Sequence, residues 1–167
     1  MGGTFDFDST LGQGSRFWFE VPLPAAAPAG TGKPPVAAVE GPAPGARVLL
    51  ADDTDINRMV GVALLKRLGC LVDVVANGAE AVDAVQRTRY DVVLMDCLMP
   101  VMDGFEATAR IRRFEDGSRH TPIVALTASA MVGDRERCLA SGMDDYLSKP
   151  LDKSALAGVL ARCCAGP

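Results

Sequence analysis

Between residues 47 and 148 five short apolar runs, at Arg47–Ala51, Leu71–Val75, 91–95, Ile123–Thr127 and Asp145–Ser148, alternate with stretches of helical spacing. No other feature of the sequence narrows the fold as far. Runs of four or five residues are strand length, and several lack the every-second-residue pattern of a half-exposed strand. That is expected where both faces of a sheet are covered. Between the runs, Ile56, Val60, Ala63, Leu64, Arg67 and Leu68 follow helical periodicity. Asn77, Gly78, Ala79 and Glu80 have the form of a capping box ahead of Ala81, Val82 and Val85. Asp103 is placed to cap a helix carrying Phe105, Ala109 and Ile111, and further helices are predicted over 130–140 and 152–161. Repeated strand–helix units predict an α/β domain: a doubly wound parallel sheet with right-handed crossovers.

The rest of the chain has a different character. Of the 22 residues from 24 to 45, 17 are Ala, Pro or Gly, too little apolar surface to offset the entropy of ordering them. This stretch is expected to be a linker, kept extended by its prolines. In residues 1–23, Phe17, Phe19 and Val21 alternate with Arg16, Trp18 and Glu20, the period-two pattern of a strand. Thr4, Phe5 and Phe7 point to a partner strand, with Gly12-Gln13-Gly14 as the connection. Two strands alone are barely stable and leave their apolar face uncovered, so this piece reads as the tail of another domain.

Composition excludes several classes. With 49% apolar residues among 167, the chain is not disordered as a whole, and it has no apolar run long enough to span a membrane. The formal net charge of −4 gives no basic surface for nucleic acid. Five cysteines without metal-type spacing (Cys70, Cys97, Cys138, Cys163, Cys164) fit free thiols in a reducing compartment. No secretory signal pattern opens the sequence, and a cytoplasmic location is expected.

In open parallel sheets ligands collect at the carboxyl ends of the strands. Here those ends carry Asp52 and Asp53 after the first run, Asp96 after the third, Thr127 at the end of the fourth and Lys149-Pro150 after the fifth. Clustered carboxylates repel unless a cation lies between them, and an all-oxygen set suits Mg2+ better than a soft metal. A magnesium ion beside an ammonium and a hydroxyl is equipment for handling a phosphoryl group. Asp96, alone on a central strand, is the natural acyl-phosphate nucleophile.

The segments Val48–Asp53, Val93–Gly104 (VLMDCLMPVMDG), Leu126–Ala128 and Tyr146–Pro150 resemble the receiver domain of two-component response regulators, in order and separation, over about residues 46–163. The resemblance implies a flavodoxin-like (βα)5 fold with strand order 2-1-3-4-5 across residues 46–165. It also implies that Asp96 is the phosphoacceptor, with Asp53 as direct metal ligand and Asp52 acting through water. The backbone carbonyl of Leu98 would be the third protein ligand, Thr127 and Lys149 would engage the phosphoryl group, and Tyr146 would follow as the switch aromatic. A cis Lys149–Pro150 bond is expected on the same ground. Small Ala128 leaves a path to Asp96, while Leu98 and Ser129 occupy positions that tune hydrolysis. Apolar Leu98 cannot orient water, so the phosphoaspartate is expected to be long-lived. Residues 1–23, through Met1-Gly2-Gly3 and Ser9–Phe19, resemble the end of a histidine-kinase ATP-binding domain. The order of segments is then that of a hybrid sensor histidine kinase, with a histidine kinase or histidine phosphotransfer domain as partner.

Plainer readings compete for individual residues. Asp52, Asp53 and Asp96 taken singly could be turn or capping residues; together with Thr127 and Lys149 they are not. Asp55 and Asp103 read as caps. His120 and the Arg110, Arg112, Arg113 group read as solvated, Cys97 as packed rather than catalytic, and Met95, Met99 and Met102 as packing. Two other functions stay open: a phosphate-independent interaction module, and an aspartate phosphohydrolase, which Leu98 disfavours by standing where a second aspartate would be needed. The segment itself would catalyse at most its own phosphorylation and dephosphorylation.

Overall fold

Every predicted strand of the longer segment forms in the computed structural model, which describes residues 4–10, 14–20, 45–117, 119–128 and 132–164. The chain divides into two compact units, residues 1–36 and 37–167. In the first, β1 (Thr4–Thr10) and β2 (Gly14–Glu20) pair antiparallel, with Phe5 opposite Phe19 and Phe7 opposite Phe17. Phe7 and Trp18 are exposed. The expected connection at Gly12 and Gln13, the linker apart from Gly45, and Ser129 lie outside the described residues.

The second unit runs β3 (Arg47–Ala51), α1 (Asp55–Arg67), β4 (Leu71–Val75), α2 (Gly78–Arg87), β5 (Val92–Asp96), α3 (Gly104–Glu115), β6 (Ile123–Thr127), α4 (Val132–Ala140), β7 (Asp145–Ser148) and α5 (Lys153–Cys164). Its sheet has the order β4-β3-β5-β6-β7, all parallel. Counted from β3 this is 2-1-3-4-5, the flavodoxin-like arrangement. β5 begins one residue later than predicted. Asp91 instead braces the strand entrance, its carboxylate accepting from the Arg47 backbone N–H at 2.6 Å. Asp96 stays in the ladder, opposite Leu126.

Side chains of successive strand residues leave opposite faces, and the sheet accordingly separates two cores. Leu49, Val93, Met95, Ile123 and Ala125 pack on one side with α2 and α3 residues such as Val85 and Ile111. Val48, Leu50, Val92, Leu94 and Leu126 pack on the other with Leu65, Leu156 and Leu160. Met95, Met99 and Met102 are all buried in the first core, as expected. Each fully buried Leu or Ile contributes about 1.5–3 kcal/mol relative to exposure, and every residue of β5 is buried.

Local signals set the helix ends. Asn77 caps α2: its Oδ1 accepts from the Glu80 N–H at 3.0 Å, while Glu80 accepts in return from the Ala76 N–H at 2.9 Å. Asp103 caps α3 through the Glu106 N–H at 2.8 Å. Asp55 is not a cap. Thr54 holds that position, and Asp55 begins α1 paired with Arg58, favourable beside the positive end of the helix dipole. α1 ends where Gly69 adopts φ +83°, a conformation that glycine takes without strain.

Arg112 departs from the solvated reading, whereas His120 stays mostly exposed, as expected. Arg112 turns inward, donating to Glu115 (2.6 Å), Asp144 (2.8 Å) and the carbonyls of Thr121 and Gly142 (both 2.9 Å). His120 Nε2 lies 2.5 Å from the other Asp144 oxygen. Glu115 is fully buried and its second oxygen accepts from the Thr121 N–H at 2.7 Å. Burial alone would raise the Glu115 pKa, but hydrogen bonds from Thr121 and Arg112 outweigh it and hold the carboxyl below the usual range. The group ties the end of α3 to the turns before β6 and β7.

Candidate functional site

Strand register brings the chemistry together. Because Ala51 pairs with Met95, Asp96 with Leu126 and Thr127 with Ser148, the ends of β3, β5, β6 and β7 align. Asp52, Asp53, Asp96, Thr127 and Lys149 therefore gather on one edge of the sheet. The strand order reverses at β3, between β4 and β5, which is where open α/β sheets form their ligand crevice.

Asp52 and Asp96 are 1% and 7% exposed, whereas Asp53 faces solvent. Lys149 bridges the two buried carboxylates, with Nζ 2.7 Å from Asp52 Oδ2 and 2.6 Å from Asp96 Oδ2. The remaining lone pairs are partly taken. Asp52 Oδ1 accepts from the Thr54 N–H (2.9 Å) and Asn57 Nδ2 (3.1 Å), and Asp96 Oδ1 from the Leu98 N–H (3.3 Å). Burial raises the pKa of Asp96 despite the opposing hydrogen bond from Lys149. For Lys149, burial is outweighed by its contacts to Asp52 and Asp96, so its ammonium is held more firmly than usual.

Asp52, Asp53 and Asp96 each offer an oxygen, and the three lie within 4.8 Å of one another. Three carboxylate oxygens at that separation fit a hard divalent cation such as Mg2+, which takes oxygen ligands and retains water. Such an ion would also offset the repulsion that a single lysine leaves uncompensated.

Asp96, Thr127 and Lys149 open into a cleft of about 290 Å3, walled by Leu98, Ala128, Phe105, Arg137 and the buried pair Cys97 and Cys138. The two cysteine sulfurs are 3.8 Å apart, and burial pushes the Cys97 thiol up to about 12. A thiol held protonated in this way is a packing group, in line with the plain reading of Cys97. Ala128 is exposed at the cleft, and Leu98 is 71% exposed beside it. Tyr146 is half-buried against the core that contains Cys138 and Met143, and the Lys149–Pro150 bond is cis. Sequence reasoning passed over Asn57 and Arg137 and read Phe105 only as part of a helix face. They belong to helices, and nothing in their local pattern tells which helix face meets a strand end.

A parallel five-stranded domain with buried carboxylates and a lysine at its switch point defines the class of phosphoryl-handling signalling modules. The chain belongs to the response regulator receiver domain family, whose model matches residues 48–161. The sensor histidine kinase AruS of Pseudomonas aeruginosa is 39% identical over 161 residues, covering 96% of this chain and 16% of that protein. The crystal structure of the receiver domain of sensor histidine kinase PA1611 from the same species, with a magnesium ion in its active-site cleft, is 48% identical. It superposes with a TM-score of 0.67, covering 73% of this chain and 99% of that one. The receiver domain of Saccharomyces cerevisiae Ssk1, solved in complex with the histidine phosphotransfer protein Ypd1, is 34% identical with a TM-score of 0.62, over 68% and 84% of the two chains. The chain spans 3% to 16% of the length of the curated relatives it matches. Among the described residues no helix is long and apolar enough to cross a membrane.

Proposed function

We propose that Asp96 accepts a phosphoryl group from the phosphohistidine of a histidine kinase or histidine phosphotransfer domain, and that the receiver then relays or reports it. The observation that carries this reading is the Asp52–Lys149–Asp96 bridge at the mouth of the cleft. An Asp96 carboxylate oxygen attacks phosphorus, the P–N bond breaks, and its electron pair leaves with the imidazole. Lys149, already beside the attacking carboxylate, follows the negative charge onto the phosphoryl oxygens. The Thr127 hydroxyl, at the end of β6, closes on the same group, and Tyr146 repacks in response. Asp52, Asp53 and Asp96, with the Leu98 carbonyl, would hold Mg2+. When bound, the ion neutralises charge on the transferring group and its acceptor.

The magnesium-bearing relative supports the metal, and the Ssk1–Ypd1 complex supports a phosphotransfer partner. Ile56, Met59 and Val60 form an exposed apolar face on α1, near Asp52 in sequence and suited to a docking donor. The match to AruS continues well beyond the receiver. It supports reading residues 1–23 as the end of a kinase ATP-binding domain, 24–45 as a linker, and the parent protein as a hybrid histidine kinase.

Intact mass after incubation with acetyl phosphate and Mg2+ tests the assignment. One phosphoryl group should add to the wild type and none to Asp96→Asn or to wild type without Mg2+. If folded, Mg2+-binding wild type takes up neither phosphoryl nor beryllofluoride, a phosphate-independent module is the better description.

A further inference from the structure

We propose that Arg137 is a second cation for the phosphoryl group, held in reserve at the rim of the cleft. The inference rests on Asp96 being the phosphoacceptor. Arg137 lies on α4 and lines the same cleft as Asp96, Thr127 and Lys149. Its guanidinium carbon is 4.4 Å from the centroid of the Phe105 ring, which forms the adjoining wall. Stacking on an aromatic face steadies the cation and leaves the N–H edge of the fork open. The guanidinium makes no ion pair or hydrogen bond with another described residue, whereas Arg112, Arg110, Arg162 and Arg47 all have carboxylate partners. Among the described residues Arg137 is thus a poised donor without an anion, beside a site built to receive one.

Formal charge explains why such a donor is useful after transfer and not before. Phosphorylation replaces the single charge of Asp96 by about −2 on phosphoryl oxygens, so the group with Asp52 and Asp53 totals about −4. Lys149 and a divalent ion supply about +3 between them. A guanidinium swung from the Phe105 ring closes that difference, and its planar fork matches two phosphoryl oxygens. Before transfer, Lys149 already pairs both buried carboxylates, and the arginine stays on the ring. Since Arg137 is carried by α4, its movement would convey phosphorylation to that helix.

Beryllofluoride, which mimics the phosphoryl group on an aspartate, separates the possibilities when titrated calorimetrically with Mg2+ present. Arg137→Gln should weaken beryllofluoride binding about tenfold, the effect of one charge-assisted pair, and Arg137→Lys by less. Affinity for Mg2+ alone and the melting temperature should not change. Equal beryllofluoride affinity in Arg137→Gln and wild type would overturn this inference and leave Asp96 as acceptor. No binding to wild type would overturn both. A parallel loss of Mg2+ affinity in Arg137→Gln would mean the arginine merely supports the acidic cluster, which also overturns the proposal.

Discussion

Gly104 stands so close to Asp96 that a Cβ on it would lie 2.2 Å from the Asp96 carbonyl oxygen and 3.0 Å from Met95 Cγ. The start of α3 is thereby seated against the end of β5, with the Gly104 N–H donating to the Cys97 carbonyl at 3.1 Å. The obstacle is backbone and cannot rotate away. Gly104→Ala is expected to cost roughly 1–3 kcal/mol, the range for forced overpacking, and to slow Asp96 phosphorylation by displacing the strand end. Urea unfolding and the rate of adduct formation measure the two effects; an alanine variant of wild-type stability would show that the helix can back off freely.

Val101 is 88% exposed and has φ +69°, where a β-branched residue is strained. Nothing is packed that a replacement would lose. Val101→Asn, which tolerates this conformation, should raise stability by about 1 kcal/mol. Thermal unfolding decides the matter, and a lower melting temperature would count against strain at this turn.

Glu115 makes the fold sensitive to acid. Its carboxyl is held below the ordinary glutamate value by hydrogen bonds from Thr121 and Arg112, so the folded state binds its proton less readily than the unfolded chain does. The stabilisation is complete above that value and is lost as pH falls through the lower folded pKa. Glu115→Gln should cost about 2 kcal/mol at pH 7, from hydrogen bonds to a charged group. The gap between variant and wild type should close as the pH is taken down through the carboxylate range. A gap constant with pH would assign the loss to packing.

Leu98 lies at the cleft and carries no group that can orient an attacking water. The phosphoaspartate should persist beyond minutes at neutral pH with Mg2+, and Leu98→Asn should shorten its lifetime several-fold. Phosphate release after removal of the donor reads this directly. A wild-type lifetime of seconds would require another residue to position water.

Much of the architecture can be read from residue order because strand ends are local features. A short apolar run that ends in, or is followed by, Asp, Thr or Lys places that side chain on the carboxyl edge whatever the helices do, and so Asp52, Asp96, Thr127 and Lys149 were legible together. Asn77 and Asp103 were legible as caps because a cap needs only its own helix. Arg112 was not, since its partners Asp144 and Gly142 are some 30 positions away and nothing beside it marks the inward face. Asp55 misled because acidic residues favour both the cap and the first turn. The positive φ of Val101 had no glycine or asparagine to signal it.

The strand that carries Asp96 is clamped from above and below, Val93 and Met95 in one core, Val92 and Leu94 in the other. Shifting it would disturb both cores at once, an expense far beyond what one phosphoryl group supplies. The sheet therefore behaves as an anvil: a covalent event at its rim leaves it still, and the response passes to the parts fastened on one side only, the loops and helices around the cleft. That division lets the same domain be struck repeatedly, loaded and unloaded, without being forged into a different shape.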